Sequence, residues 1–186
     1  MLTFVEDVPR SAFRKAAETA AAGMPAMGLD GAFGISDLAF QGFGTAGDTL
    51  ESMRPANLVQ VAWKFAVLED ERLAAIVTVR RRNRAMVAGQ MEFAHSRPAI
   101  VEALRIADEF ALQEGVHEIR FVDIPIVDAS FLWVTGDRPM FVDRTEPRSL
   151  TEDELMDELA RRLDRKAAPR PDRTPRPRGS AGPGRG

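Results

Sequence analysis

The sequence predicts an α+β fold: an antiparallel β-sheet laid out as a meander, packed by a central helix, flanked by N- and C-terminal helices and trailed by a disordered basic tail. Three observations carry this. From Asn57 to Ala94 the chain alternates apolar and polar residues with period two, in runs separated by short charged turns. Pro98 to Glu114 switches to helical spacing. Beyond Lys166 the composition turns to Pro, Arg and Gly, with too little apolar surface to bury. The chain then divides into an N-terminal helix with a Gly/Phe/Met-rich irregular segment (1–56), a core domain (57–166) and a tail (167–186) that is dispensable for folding.

Met1 to Val5 reads as a short edge strand. Pro9 to Ala22 reads as a helix, with Pro at its first turn, Ala inside and Gly23 as the stop. Phe13, Ala16, Ala17 and Ala20 mark its face, which is small-sided and predicts weak docking. Residues 23–56 alternate seven glycines with Met24, Met27, Leu29, Phe33, Ile35, Leu38, Phe40 and Phe43. That pattern predicts an irregular layer lying against the sheet, with a strand at Ile35 to Phe40, because a linker would not carry such side chains.

In the meander, Val59, Val61, Trp63, Phe65 and Val67 form the apolar face of the first strand, with Trp63 in the core. Leu73, Ala75, Val77 and Val79 repeat the pattern, and Met86 to Phe93 adds a third strand with a bulge at Gly89. Ala62, Ala66, Leu68, Ala74 and Ile76 make the second face apolar too. Both faces are therefore expected to be covered: one by the Pro98–Glu114 helix, the other by the Gly/Phe/Met segment or another subunit. Val116 to Ile124 is a strand, and Ser130–Thr135 with Met140–Asp143 is a hairpin. Leu150 to Lys166 is a helix opened by a Thr151/Glu154 capping box, with acid at its start and Arg161, Arg162, Arg165 and Lys166 at its end.

The chain has 186 residues, 45% hydrophobic and 28% charged, which suits one globular domain. It has no cysteine, which excludes thiol catalysis, disulfides and Cys-ligated zinc. His95 and His117 form no metal-binding pair. No stretch approaches a bilayer span and no secretory leader is evident, so no membrane role and a cytoplasmic address are expected. The net charge of −3 is uneven: residues 161–186 hold nine basic side chains against Asp164 and Asp172, a charge of +7, leaving −10 on the first 160 residues.

Gly42, Gly44 and Gly47 match a G-x-G-x-x-G phosphate loop, but Pro55 cuts short any following helix and no βαβ unit fits. Together with Val61-Ala62-Trp63-Lys64 this stretch resembles the glycine loop and strand lysine of protein kinases. Neither an H-R-D nor a D-F-G motif follows. The bland reading of the same residues is a glycine-rich bend and a solvent-facing Lys64. Arg80, Arg81, Arg82 and Arg84 form a basic turn that suits a partner or anion, or a solvated hairpin end that discourages edge pairing. Phe40 and Phe43 are candidate partner contacts. Asp123, Asp128, Asp137 and Asp143 could pair for acid–base work or serve as turn residues.

Over residues 57–131 the order strand, strand, strand, helix, followed by Pro125 ahead of Ala129-Ser130-Phe131, resembles export chaperones of the SecB type. The likeness implies a chaperone-like binding surface. The expected function is a non-enzymatic protein-binding or adaptor module that self-associates or holds a protein partner through apolar sheet surface, with no cofactor. The alternatives are a phosphate- or nucleotide-binding domain on the Gly42–Gly47 loop and a nucleic-acid regulator acting through the tail.

Overall fold

The computed structural model describes residues 8–25, 33–114 and 118–167. The strand expected at Met1–Val5 and the tail beyond Ala167 lie outside them. In chain order the elements are α1 (Arg10–Gly23), β1 (Phe33–Gly44), β2 (Val59–Glu69), β3 (Arg72–Arg82), β4 (Ala85–Phe93), α2 (Pro98–Glu114), β5 (Ile119–Ile124), β6 (Ala129–Val134), β7 (Met140–Asp143), β8 (Ser149–Leu150) and α3 (Glu152–Ala167). The strands form one eight-stranded sheet in the order β4-β3-β2-β1-β5-β6-β7-β8. Each half is a helix followed by a four-strand meander. The halves meet at β1 and β5, which pair in parallel while the other described pairs are antiparallel. Helix α2 carries the chain from the β4 edge back to the middle.

In the first meander, β2–β3 and β3–β4 are joined by two-residue turns. Asp70 and Glu71 in the first turn, and Asn83 and Arg84 in the second, adopt positive φ of 47°, 64°, 48° and 68°. Left-handed pairs of this kind match the strand twist, and here they form without glycine.

Residues 33–44 overturn the expectation of an irregular covering layer, because β1 is a central strand of the sheet itself. The strand is longer than the Ile35–Phe40 stretch expected, and its pairing with β2 slips between Ile35 and Ala39 and again between Gly42 and Phe43. A strand enclosed on both sides does not alternate cleanly, and two slips erase what alternation remains. Its period was therefore illegible.

The second face is covered by helices. On one face α1 buries Ala12, Ala16 and Ala20 against Phe65, Val67, Val77 and Val79. On the same face, over the other half, α3 buries Leu155 and Leu159 against Val122, Ile124, Phe131 and Phe141. On the opposite face α2 packs Ile100, Ala103 and Ala107 against Phe121, Leu132, Val134 and Val142. The small side chains of α1 let it dock closely, contrary to the weak docking expected: all three of its core alanines are fully buried, whereas Phe13 is partly exposed. The capping box forms as expected, with Glu154 accepting from the Thr151 amide at 2.8 Å and the Glu154 amide donating to Thr151 Oγ1 at 3.3 Å.

Candidate functional site: a buried charge quartet and an open aromatic row

Four charged side chains converge on the α2 face. Lys64 of β2 places its Nζ 2.7 Å from Asp123 Oδ2 of β5 and 3.6 Å from Glu92 Oε1 of β4. Arg144, just after β7, reaches Glu92 Oε2 at 2.6 Å and Asp123 Oδ1 at 3.0 Å. Ser130 Oγ also donates to Asp123 Oδ1, at 3.0 Å. In a flat sheet, β4 and β5 would stand about 19 Å apart at ~4.8 Å per strand. Their carboxylates meet the same two cations because the sheet curls around this face. Pairing slips in the β1–β2, β2–β3 and β3–β4 ladders supply the bend.

Lys64 is therefore not the solvent-facing residue of the bland reading. It is 2% exposed, and its ammonium lies 5.2 Å from the centre of the Phe121 ring, with the Arg144 guanidinium 4.8 Å from the same ring. Gly42 and Ala62 pair directly beside it, and a Cβ on Gly42 would come within 3.0 Å of the Ala62 Cβ. Burial pushes the Asp123 carboxyl up, but the charges of Lys64 and Arg144 outweigh this, and hydrogen bonds from Lys64 and Ser130 help hold it below its ordinary value. Two buried cations face two anions, the exposed Arg97 adds a third cation 3.6 Å from Glu92 Oε2, and Asp123 stays ionised at neutral pH. The cluster is suited to locking the curl of the sheet. A carboxylate held in this way is a poor proton donor or acceptor near neutrality. The side-chain nitrogen Arg144 Nε and the hydroxyl Thr78 Oγ1 are buried without a partner in this face.

The other candidate residues scatter. Gln41, Gly42 and Phe43 are paired on both sides, with β2 and with β5, so their amides belong to the ladders. Gly47 is exposed on the connection to β2, which folds onto itself through Ser52 Oγ to Thr49 O (2.6 Å) and Asn57 Nδ2 to Glu51 O (2.8 Å). Arg80, Arg81, Arg82 and Arg84 are exposed around the β3–β4 turn. Phe40 packs inward, 5.2 Å from Phe121, while Phe43 lies on the opposite face. Of the aspartates, Asp143 is fully buried: it accepts from the Thr145 and Glu146 amides and pairs with Arg162 at 2.7 Å. Arg162 also holds Glu158 at 2.8 Å, tying α3 to the β7 end. That hydrogen bond, opposed by burial and aided by the charges of Arg162, Arg161 and Arg148, keeps the Glu158 carboxyl low. Among the described residues, no three carboxylate or histidine side chains gather as a cation site.

On the opposite face, strand register sets up a single transverse row: Val79, Trp63, Gln41, Arg120, Trp133 and Phe141, from β3 to β7. Its ends are closed, Val79 in the α1 cluster and Phe141 in the α3 cluster. The four residues between are each partly exposed, including Trp63, which the sequence placed in the core. The Arg120 guanidinium lies 5.0 Å from the Phe43 ring centre and 4.9 Å from that of Trp133, and it pairs with Glu118 at 2.8 Å. Arg81 lies 5.9 Å from the Trp63 ring. At the start of β2, Val59 and Val61 are 45% and 39% exposed rather than in the core, where the slip at Gly42/Phe43 leaves Val61 unopposed. Neither the quartet nor the row shows as a sequence motif, since each is assembled from at least four separate elements.

Comparison with protein-family models, curated proteins and solved structures found no match to this chain. The likeness to export chaperones thus remains one of element order.

Proposed function

We propose that the chain is a non-enzymatic protein-binding module whose partner-facing surface is the aromatic row between α1 and α3. One observation carries the reading: Trp63, Gln41, Arg120 and Trp133 form a partly exposed line between two fully buried ends. Trp and Arg are the residues from which interface hot spots are most often built, because they bury large areas and offer directional contacts. The cation–π pairs hold both arginines in place before any partner arrives, which lowers the ordering cost of binding. The partner that fits is a protein segment with apolar side chains to cover the two tryptophan rings and an acceptor for Arg120.

The two tryptophans of the chain are Trp63 and Trp133, so intrinsic fluorescence reads this surface alone. A displayed peptide library is panned against the folded chain, and each selected peptide is titrated while emission is followed. The reading expects peptides that shift the emission and that bind about tenfold or more weakly to Arg120→Ala. Peptides that leave the emission unchanged and bind Arg120→Ala and Trp63→Phe equally well would overturn it.

A further inference from the structure

The sheet has two edges, built differently. The β8 edge is two residues long and leads directly into α3. The β4 edge is nine residues long, and no strand pairs with its outer side among the described residues. Edge strands are usually guarded by outward charges or proline. Here Ala85, Val87, Gly89 and Gln90 are the exposed positions, and the single charge of the strand, Glu92, is turned inward to Lys64 and Arg144. Among the described residues the bulge at Gly89 is the one guard of this edge. Beside the strand runs an apolar groove of about 560 Å³ between α1 and β4, lined by Thr19, Ala22, Gly23, Met91 and Phe93.

Charge says what fits there. The β2–β3 turn at one end of β3 is acidic on balance, with Glu69, Asp70 and Glu71 against Arg72. The β3–β4 turn at its other end is basic, with Arg80, Arg82 and Arg84. A second copy of the same chain laid antiparallel along β4 brings the basic turn of each copy to the acidic end of the other. A parallel arrangement would set like charges together. We propose that this chain forms a two-fold dimer by antiparallel pairing of β4 with β4, extending the sheet across both copies. In that dimer Met86 of each copy, on the α1 face, comes towards Met91 and Phe93 of the other and flanks the apolar groove. Such an isologous contact is self-limiting, since it uses up the open edge of both chains. The inference is independent of the aromatic row, which lies on β2, β1, β5 and β6, inside the sheet.

The test is the molar mass of the full chain by light scattering at about 50 μM in low salt, a concentration at which a micromolar dimer is mostly assembled. The expected value is twice the 20.5 kDa of one chain. Val87→Lys places a charge on the open edge and is expected to give a monomer with an unchanged circular dichroism spectrum. Reversing the basic turn (Arg82→Glu with Arg84→Glu) or the acidic turn (Glu69→Arg with Glu71→Arg) is expected to weaken self-association by about tenfold. Mixing the two reversed chains restores it, because both turn contacts are again complementary. A monomeric wild-type chain overturns the proposal, as does a dimer indifferent to Val87→Lys and to both reversals. If the reversed chains fail to recover on mixing, the antiparallel arrangement is wrong. Peptide binding by the aromatic row is measured separately, in the Val87→Lys chain.

Discussion

Trp63 and Lys64 are neighbours on β2 and point to opposite sides of the sheet. The tryptophan is partly exposed, whereas the lysine is buried against two carboxylates. Apolarity alone would have reversed that order. What decides it is how each face is closed. The face carrying Lys64 is concave, and its curl gathers β2, β4, β5 and the end of β7 around one small volume. The face carrying Trp63 is covered by two helices, α1 and α3, each over its own half, and the middle of the row is left between them. The difference teaches that a charge is tolerated inside where the sheet can bring it partners, and that an aromatic stays open where two covering helices do not meet.

The largest effect expected from this comparison lies in the quartet. Asp123→Asn removes one anion and leaves Lys64 and Arg144 to share Glu92, so unfolding in denaturant should show a loss of roughly 3–5 kcal/mol. A loss below about 1 kcal/mol, the surface-pair range, would mean the quartet is not closed as described.

Acid should erase that difference. The folded Asp123 carboxyl lies below its unfolded value of about 3.9. Its contribution is therefore complete above roughly pH 5 and is lost as pH falls through the depressed folded value. Stability curves of wild type and Asp123→Asn are expected to lie well apart at pH 7 and to converge as the pH falls through that depressed folded value. Parallel curves over the whole range would place the stabilisation elsewhere.

The smallest effect belongs to the open face. Arg120 is partly exposed and rests on Phe43 and Trp133, so Arg120→Ala should cost under about 1 kcal/mol. Losses of similar size in Arg120→Ala and Asp123→Asn would erase the contrast between the faces.

The sequence by itself determined the elements that obey a local rule. Period-two alternation marked β2, β3 and β4 with the bulge at Gly89, helical spacing marked α1, α2 and α3, and Thr151 with Glu154 marked the start of α3. It also determined that both faces of the sheet had to be covered. Only the tertiary structure decided that β1 is a central strand, because enclosure on both sides and two register slips remove the alternation that would reveal it. Only the tertiary structure decided where Lys64 goes: a lysine in a strand reads as solvated until its partners are known. Those partners, Glu92, Asp123 and Arg144, lie on β4, on β5 and beyond β7, and nothing local in their neighbourhoods announces a contact. The row from Trp63 to Trp133 has the same origin, since strand register across β2, β1, β5 and β6 is set by long-range pairing, which no spacing along the chain encodes.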